Sequence, residues 1–154
     1  MDAYNFVMIR TFSYSQIVSN LQTSYKVDFA VGGGSVIDCA KIMSGAATSD
    51  EDPKSWVGFG KVKHETIPLY AIPTTAGTGS EATAGAVITN VQDHAKVVIS
   101  GASLLPKAAA VDPALQQGLP PAITAATGMD ALTHAIEAYI CTWDRGTRKE
   151  QARV

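Results

Sequence analysis

Apolar and polar positions recur along this chain with two different periods, and the change of period divides it. Between Tyr14 and Tyr25, Ile17, Val18 and Leu21 recur at intervals of three and four, the spacing of one helical face. Val27-Asp-Phe-Ala-Val31 follows as a short apolar run with β-branched ends, which predicts a strand. It runs directly into Gly32-Gly-Gly-Ser35, after which Val36 to Ser44 predicts a helix with Gly45 as its C′ residue. Residues 46–66 are polar and irregular, with Ser49-Asp-Glu-Asp-Pro53 as a loop. Within them Trp56 and Phe59 are expected to cover the edge of the core, and His64 to be solvated. Ile67 to Ile72 predicts a second buried strand, its Pro68 near the start, where a missing N–H is tolerated. Ala84 to Asn90 and Lys96 to Ser100 read as a hairpin around a turn that leaves His94 exposed. Ala108 to Asp112 is one more short strand, closed by Pro113. Leu115 to Pro121, with Gly118, Pro120 and Pro121, breaks the pattern, and from about Pro121 the chain becomes alanine-rich and helical.

Two of these strands lead into loops with chemistry. Three glycines after the first strand allow positive φ and leave no Cβ in the way of a ligand. Ser35 is placed to cap the following helix, with Asp38 completing a capping box. The helix start then offers unpaired N–H groups and partial positive charge to a phosphate. The alternative is a tight, well-capped turn with no ligand; the spacing fits neither G-x-G-x-x-G nor a Walker A loop. The second strand leads into Pro73-Thr-Thr-Ala-Gly-Thr-Gly-Ser-Glu81, dense in hydroxyls and glycine. In an open α/β sheet ligands collect outside the carboxyl ends of strands, so the two loops can converge on one dinucleotide or other phosphorylated ligand.

The helical stretch Gly128-Met-Asp-Ala-Leu-Thr-His-Ala-Ile-Glu-Ala-Tyr139 carries a third signal. Asp130 and His134 lie four residues apart and so project from one face. A carboxylate oxygen beside an imidazole nitrogen makes half of a divalent-metal site and suits iron or zinc better than calcium. Against this, Thr127 and Asp130 also fit a capping box, and an Asp/His pair can be a plain surface hydrogen bond.

Composition narrows the choice of partner. A chain of 154 residues, 46% hydrophobic and 17% charged, is globular, and a net charge of −2 without basic runs argues against nucleic acid. Two cysteines far apart in sequence, Cys39 and Cys141, are read as free thiols of a cytoplasmic protein. No apolar run reaches membrane-spanning length, and the stretch Met1-Asp-Ala-Tyr-Asn5 lacks the basic flank and apolar core expected of a signal peptide.

In this order, Gly32-Gly-Gly-Ser-Val-Ile-Asp-Cys-Ala-Lys41, the Pro73–Glu81 loop and the Gly128–Tyr139 helix resemble the iron-containing (group III) alcohol dehydrogenase family, over Val27 to Tyr139. The resemblance implies an α/β chain of dehydroquinate synthase-like architecture. A Rossmann-like nucleotide-binding domain, partial over residues 1–119, would precede the beginning of an all-helical metal-binding domain over residues 120–154. It implies that Gly33, Gly34 and Ser35 hold the pyrophosphate of NAD or NADP, with Asp38 nearby. Thr74, Thr75, Thr78 and Thr83 would line the nucleotide pocket. Lys96, Leu115 and Gly118 would border the cofactor. Asp130 and His134 would be the first two of four ligands to Fe2+, with Zn2+ as the other candidate. The implied reaction is metal-dependent hydride transfer between a small alcohol or aldehyde and NAD(P), in a homo-oligomer such as a dimer. Family members are longer, so this chain is expected to lack the first strand–helix units and two further histidine ligands, and to be catalytically incomplete. The competing expectations are a non-catalytic nucleotide-binding fragment and a relative of glycerol dehydrogenase or dehydroquinate synthase. The Thr74-Thr75 loop and the Asp130/His134 pair lean away from the last.

Overall fold

A computed structural model describes residues 28–90 and 94–142; the helix expected over Tyr14 to Tyr25 lies outside them. Strand β1 (Asp28–Gly32), helix α1 (Gly34–Ala46) and strand β2 (Leu69–Pro73) follow one another, with β1 and β2 parallel. Strands β3 (Gly85–Thr89) and β4 (Lys96–Ser100) form the expected antiparallel hairpin. Strand β5 (Ala108–Ala109) adds to β2 in parallel, giving the sheet order β1-β2-β5, and helix α2 (Pro121–Ile140) follows. Short 3-10 turns at Pro53–Trp56, Ser80–Ala82, Ala102–Leu104 and Pro113–Gln116 connect these elements.

Helix α1 lies between the two sheets because both of its long faces are apolar. Ile37 and Ala40 pack on Ala30, Leu69 and Ala71 of the parallel sheet. One turn round, Ile42 packs with Trp56, Val62 and Leu104 against Ala86 and Ile99 of the hairpin. The sheet register sets the functional end. Gly32 pairs with Pro73, and the Thr74 N–H donates to the Gly32 carbonyl at 2.9 Å. Both carboxyl-end loops therefore leave the sheet side by side, as parallel strands of equal register must.

Several local expectations are corrected. Ser35 does not cap α1: the helix starts at Gly34 with Gly33 as N-cap and no side-chain cap. The reason is that Asp38 spends its carboxylate elsewhere, accepting from the Ser80 hydroxyl and the Val87 N–H. Gly45 is not a C′ residue; it is buried inside the helix, where a Cβ would sit 3.3 Å from the Trp56 ring. His64 is half-buried, its Nε2 3.2 Å from the Gly45 carbonyl and its ring 5.0 Å from that of Trp56. Trp56 is a core residue, whereas Phe59 is 85% exposed and covers nothing. The strand expected over Ala108 to Asp112 shrinks to Ala108–Ala109. Thr127 is no helix cap, because α2 already begins at Pro121, a residue suited to the first helical position. Among the described residues no helix is long and apolar enough to cross a membrane.

The two cysteines differ in environment. Cys39 packs against the first core, and burial, with the Asp38 charge behind it, pushes its thiol up to about 11. Cys141 is exposed. Only the thiolate reacts, so two units or so of upward shift suppress alkylation about 100-fold. At pH 8 iodoacetamide is expected to label Cys141 in the native protein while peptide mapping finds Cys39 untouched until the chain is unfolded. Equal labelling of both would contradict the packing of α1.

Candidate functional site

The loops at the ends of β1 and β2 meet through their smallest residues. A Cβ at Gly34 would lie 2.6 Å from Thr78 Oγ1, and one at Gly33 3.1 Å from Thr75 Cγ2. The glycines thus let two loops interlock, in addition to clearing the helix start. At that start the Val36 and Ile37 amides donate to the Gly33 carbonyl. The Gly34 and Ser35 amides have no partner among the described residues, which leaves them for an acceptor from outside. Thr75 Oγ1, beside Gly33, is buried without a hydrogen-bond partner. An orphaned buried hydroxyl next to open helix amides fits a phosphate-bearing ligand.

A cleft of about 500 Å³ opens from this point. Gly34, Ser35 and Asp38 of α1 form one side, with Thr78, Ser80 and Thr83 from the second loop. The hairpin supplies the far wall, including the directly opposed pairs Val87–Val98 and Thr89–Lys96. Asp130 and His134 of α2 close the cleft, with Nε2 of His134 3.9 Å from Oδ1 of Asp130 and both side chains about half exposed. The donor set of one carboxylate and one imidazole fits a transition metal of borderline softness. Among the described residues no third His, Cys, Asp or Glu joins them.

Of the residues singled out from sequence, Gly34, Ser35, Asp38, Thr78, Thr83, Lys96, Asp130 and His134 therefore share one cleft. Gly33, Thr74 and Thr75 stand just behind it, in the interlocked loops. Leu115, on the Pro113–Gln116 turn, and Gly118 after it are exposed and do not line the cleft. Helix α2 meets the second loop at Gly77, where a Cβ would run into the Thr127 carbonyl. Otherwise α2 has no buried residue, and Met129, Leu132, Ile136 and Tyr139 are exposed.

Sequence reasoning passed over Lys41. Its side chain is fully buried beneath the cleft, and Nζ lies 2.6 Å from the Gly85 carbonyl, 3.1 Å from Thr83 Oγ1, 3.2 Å from Ser80 Oγ and 3.5 Å from Asp38 Oδ1. Burial lowers its pKa, and the Asp38 carboxylate pulls it back up. The signal was available: Asp38 and Lys41 are the only charges in an otherwise apolar or small helix, three residues apart.

Comparison with known proteins agrees with this geometry. Residues 16–113 match the family described as iron-containing alcohol dehydrogenase. Alcohol dehydrogenase 4 of Schizosaccharomyces pombe is 47% identical over 113 residues, which is 73% of this chain and 27% of the yeast protein. The 1,3-propanediol dehydrogenase of Klebsiella pneumoniae is 48% identical over 110 residues, 71% of this chain and 28% of that protein. The crystal structure of sulfoacetaldehyde reductase from Bifidobacterium kashiwanohense, in complex with NAD+, superposes with a TM-score of 0.74 at 36% identity, covering 81% of this chain and 35% of that one. The chain thus spans under a third of the length of these curated relatives. The family match extends over more than half of the sequence, so this chain belongs to the iron-containing alcohol dehydrogenase family.

Proposed function

We propose that the chain supplies the nucleotide-binding and part of the metal-binding apparatus of an NAD(P)-dependent alcohol dehydrogenase acting on a small alcohol or aldehyde. One observation carries the reading. The open start of α1 and the Asp130/His134 pair, read independently from sequence, line the same cleft of about 500 Å³. A dinucleotide at one end and a metal-held alcohol at the other is the arrangement that cleft favours. The names of the relatives, two alcohol dehydrogenases in the broad sense and a reductase bound to NAD+, support the same chemistry.

In this proposal the Gly34 and Ser35 amides receive the cofactor pyrophosphate, with the Thr75 hydroxyl behind them as a further donor. Thr78 and Thr83 border the nucleotide, and Lys96 offers an ammonium from the hairpin wall. Leu115 and Gly118, outside the cleft, mark the junction between an α/β part ending near residue 119 and a helical part from 120. Asp130 and His134 donate an oxygen and a nitrogen lone pair to Fe2+ or Zn2+. When bound, the metal polarises the alcohol oxygen and the nicotinamide takes up hydride. The apolar Val87–Val98 pair on the wall keeps water from the reacting carbon. A reducing cytoplasm, where a half-buried thiol such as Cys39 stays reduced, is the setting proposed for this enzyme.

The test is metal and cofactor binding with and without the α2 donors. NADH is expected to bind the wild-type protein and His134→Ala alike. His134→Ala should weaken Fe2+ or Zn2+ binding by calorimetry at least ~10-fold, the order expected when one of a few ligands is lost. Alcohol oxidation by the chain alone should stay negligible even with added ferrous iron, because Asp130 and His134 supply only two donors. Unchanged metal affinity in His134→Ala would remove the metal assignment; absence of NADH binding would remove the nucleotide one.

A further inference from the structure

Among the described residues Lys41 is the only buried charged side chain, and it touches nothing outside the protein. Burying an ammonium is unfavourable unless every proton is taken up, and a methionine of similar length would pack there without demanding acceptors. The reason for a lysine must therefore lie in the arrangement it enforces. Its neighbours are not scattered: Asp38, Ser80, Thr83 and Gly85 all line the cleft, while Lys41 itself does not. They come from α1, from the second loop and from the first residue of β3. Asp38 extends the network by accepting from the Ser80 hydroxyl and, at 2.9 Å, from the Val87 N–H in the far wall.

We propose that Lys41 is a positioning residue for the cofactor cleft, fixing the hairpin wall and the Ser80–Gly85 segment relative to the open end of α1. The assignment rests on the nucleotide-binding reading of that cleft, but its structural part does not. On its other side the hairpin is held to α1 by Ile42, Ala86 and Ile99, an apolar contact. Such contacts fix distance and leave sliding and rotation cheap, because hydrophobic attraction has no direction. Charge-assisted hydrogen bonds from one ammonium of α1 to the second loop and to β3 supply the missing direction. Asp38 belongs to this scaffold too: its oxygens accept from Ser80, Lys41 and Val87, so it helps to shape the cleft that it lines.

The experiment compares the full chain with Lys41→Met, using amide exchange and NADH titration. Exchange at Val87 and along β3 is expected to accelerate at least tenfold in the variant, while Ala30 and Ala71 in β1 and β2 change less than twofold. The NADH Kd should rise at least tenfold. If Lys41→Met does not fold, Lys41→Gln is judged by the same criteria, and its retained amide donor should restore part of the Val87 protection. Unchanged exchange at Val87 overturns the proposal, as does an equal loss of protection in both sheets, which would mark Lys41 as a general stabiliser. Local loosening of β3 with an unaltered NADH Kd overturns the cofactor role as well. Should the unvaried chain bind no NADH, the nucleotide reading fails, and exchange at Val87 still decides whether Lys41 holds the wall.

Discussion

Gly34→Val is expected to abolish NADH binding and to lower stability at the same time. The first loss follows from the open amides at the start of α1, where a branched side chain would stand beside the phosphate position. The second follows from packing: Gly34 is buried, and a Cβ would lie 2.6–2.8 Å from three side-chain atoms of Thr78. None of these is the end of a long flexible side chain, so the second loop must back away from α1. Overpacking of this kind costs about 1–3 kcal/mol. For a chain of this size that is a fall in Tm of roughly 5 °C, together with a rise in NADH Kd of about 100-fold or more. Gly33→Ala is the control. Its Cβ would meet Thr75 at 3.1–3.3 Å, a contact that a small shift relieves, so stability should stay near wild type. A Gly34→Val protein with normal melting and normal NADH affinity would show that the loops do not interlock as described.

Gly77→Val should act at a distance, on the metal end of the cleft. A side chain there collides with the carbonyl of Thr127, and a helix backbone cannot give locally without breaking its ladder. Helix α2 must therefore shift as a rigid body. Asp130 and His134 follow Thr127 on the same helix, so both donors move with it. A pair of donors that moves off a bound ion loses affinity, on the order of 10-fold or more. We expect affinity for Fe2+ or Zn2+ to fall by about that factor, with NADH affinity altered less, since Gly34 and Ser35 themselves are unchanged. Because α2 has no buried residue, thermal stability should change little. Metal titration by calorimetry beside NADH titration separates the two quantities. Wild-type metal affinity in Gly77→Val would mean that α2 does not take its position from this loop.

The strands, the glycine junction and the hairpin were legible because each is written locally, in period, β-branching or turn residues. Capping was misread for a non-local reason. Ser35 and Asp38 have the right spacing, but Ser80 and Val87, more than forty residues on, compete for the carboxylate and win. His64 was misread from its charged neighbours Lys63 and Glu65, although alternation was present. Val62 and Ile67 are buried, His64 and Thr66 are intermediate, and Lys63 and Glu65 are exposed. Phe59 failed in the opposite direction, since hydrophobicity alone does not say which side of a loop faces the core. As for the site, residue types and order within three motifs identified most of the cleft lining. The hairpin wall of Val87, Thr89 and Val98 was invisible, because its valines and threonine are ordinary strand residues until the fold sets them along one wall of the cleft. Lys41 was hidden by the same logic. Only tertiary structure shows that a lone helix cation is enclosed by four oxygens.

Helix α1 is shared by two separate cores, and this bears on how relatives of this fold could diverge. The second core fixes the separation between α1 and the hairpin, and so the breadth of the cleft, through Ile42, Ala86, Ile99 and Leu104. Exchanging a methyl group at Ile42, Ile99 or Leu104 alters that breadth without altering any residue of the cleft lining. Selection for a bulkier or slimmer ligand therefore has a route through hidden residues, open to small steps that leave the glycines, the hydroxyls and the metal donors untouched. Two descendants could present identical binding motifs and still prefer different molecules. Searches for the origin of such preferences would then need to begin beneath the hairpin, at Ile42 and Ile99, with the surface of the site read second.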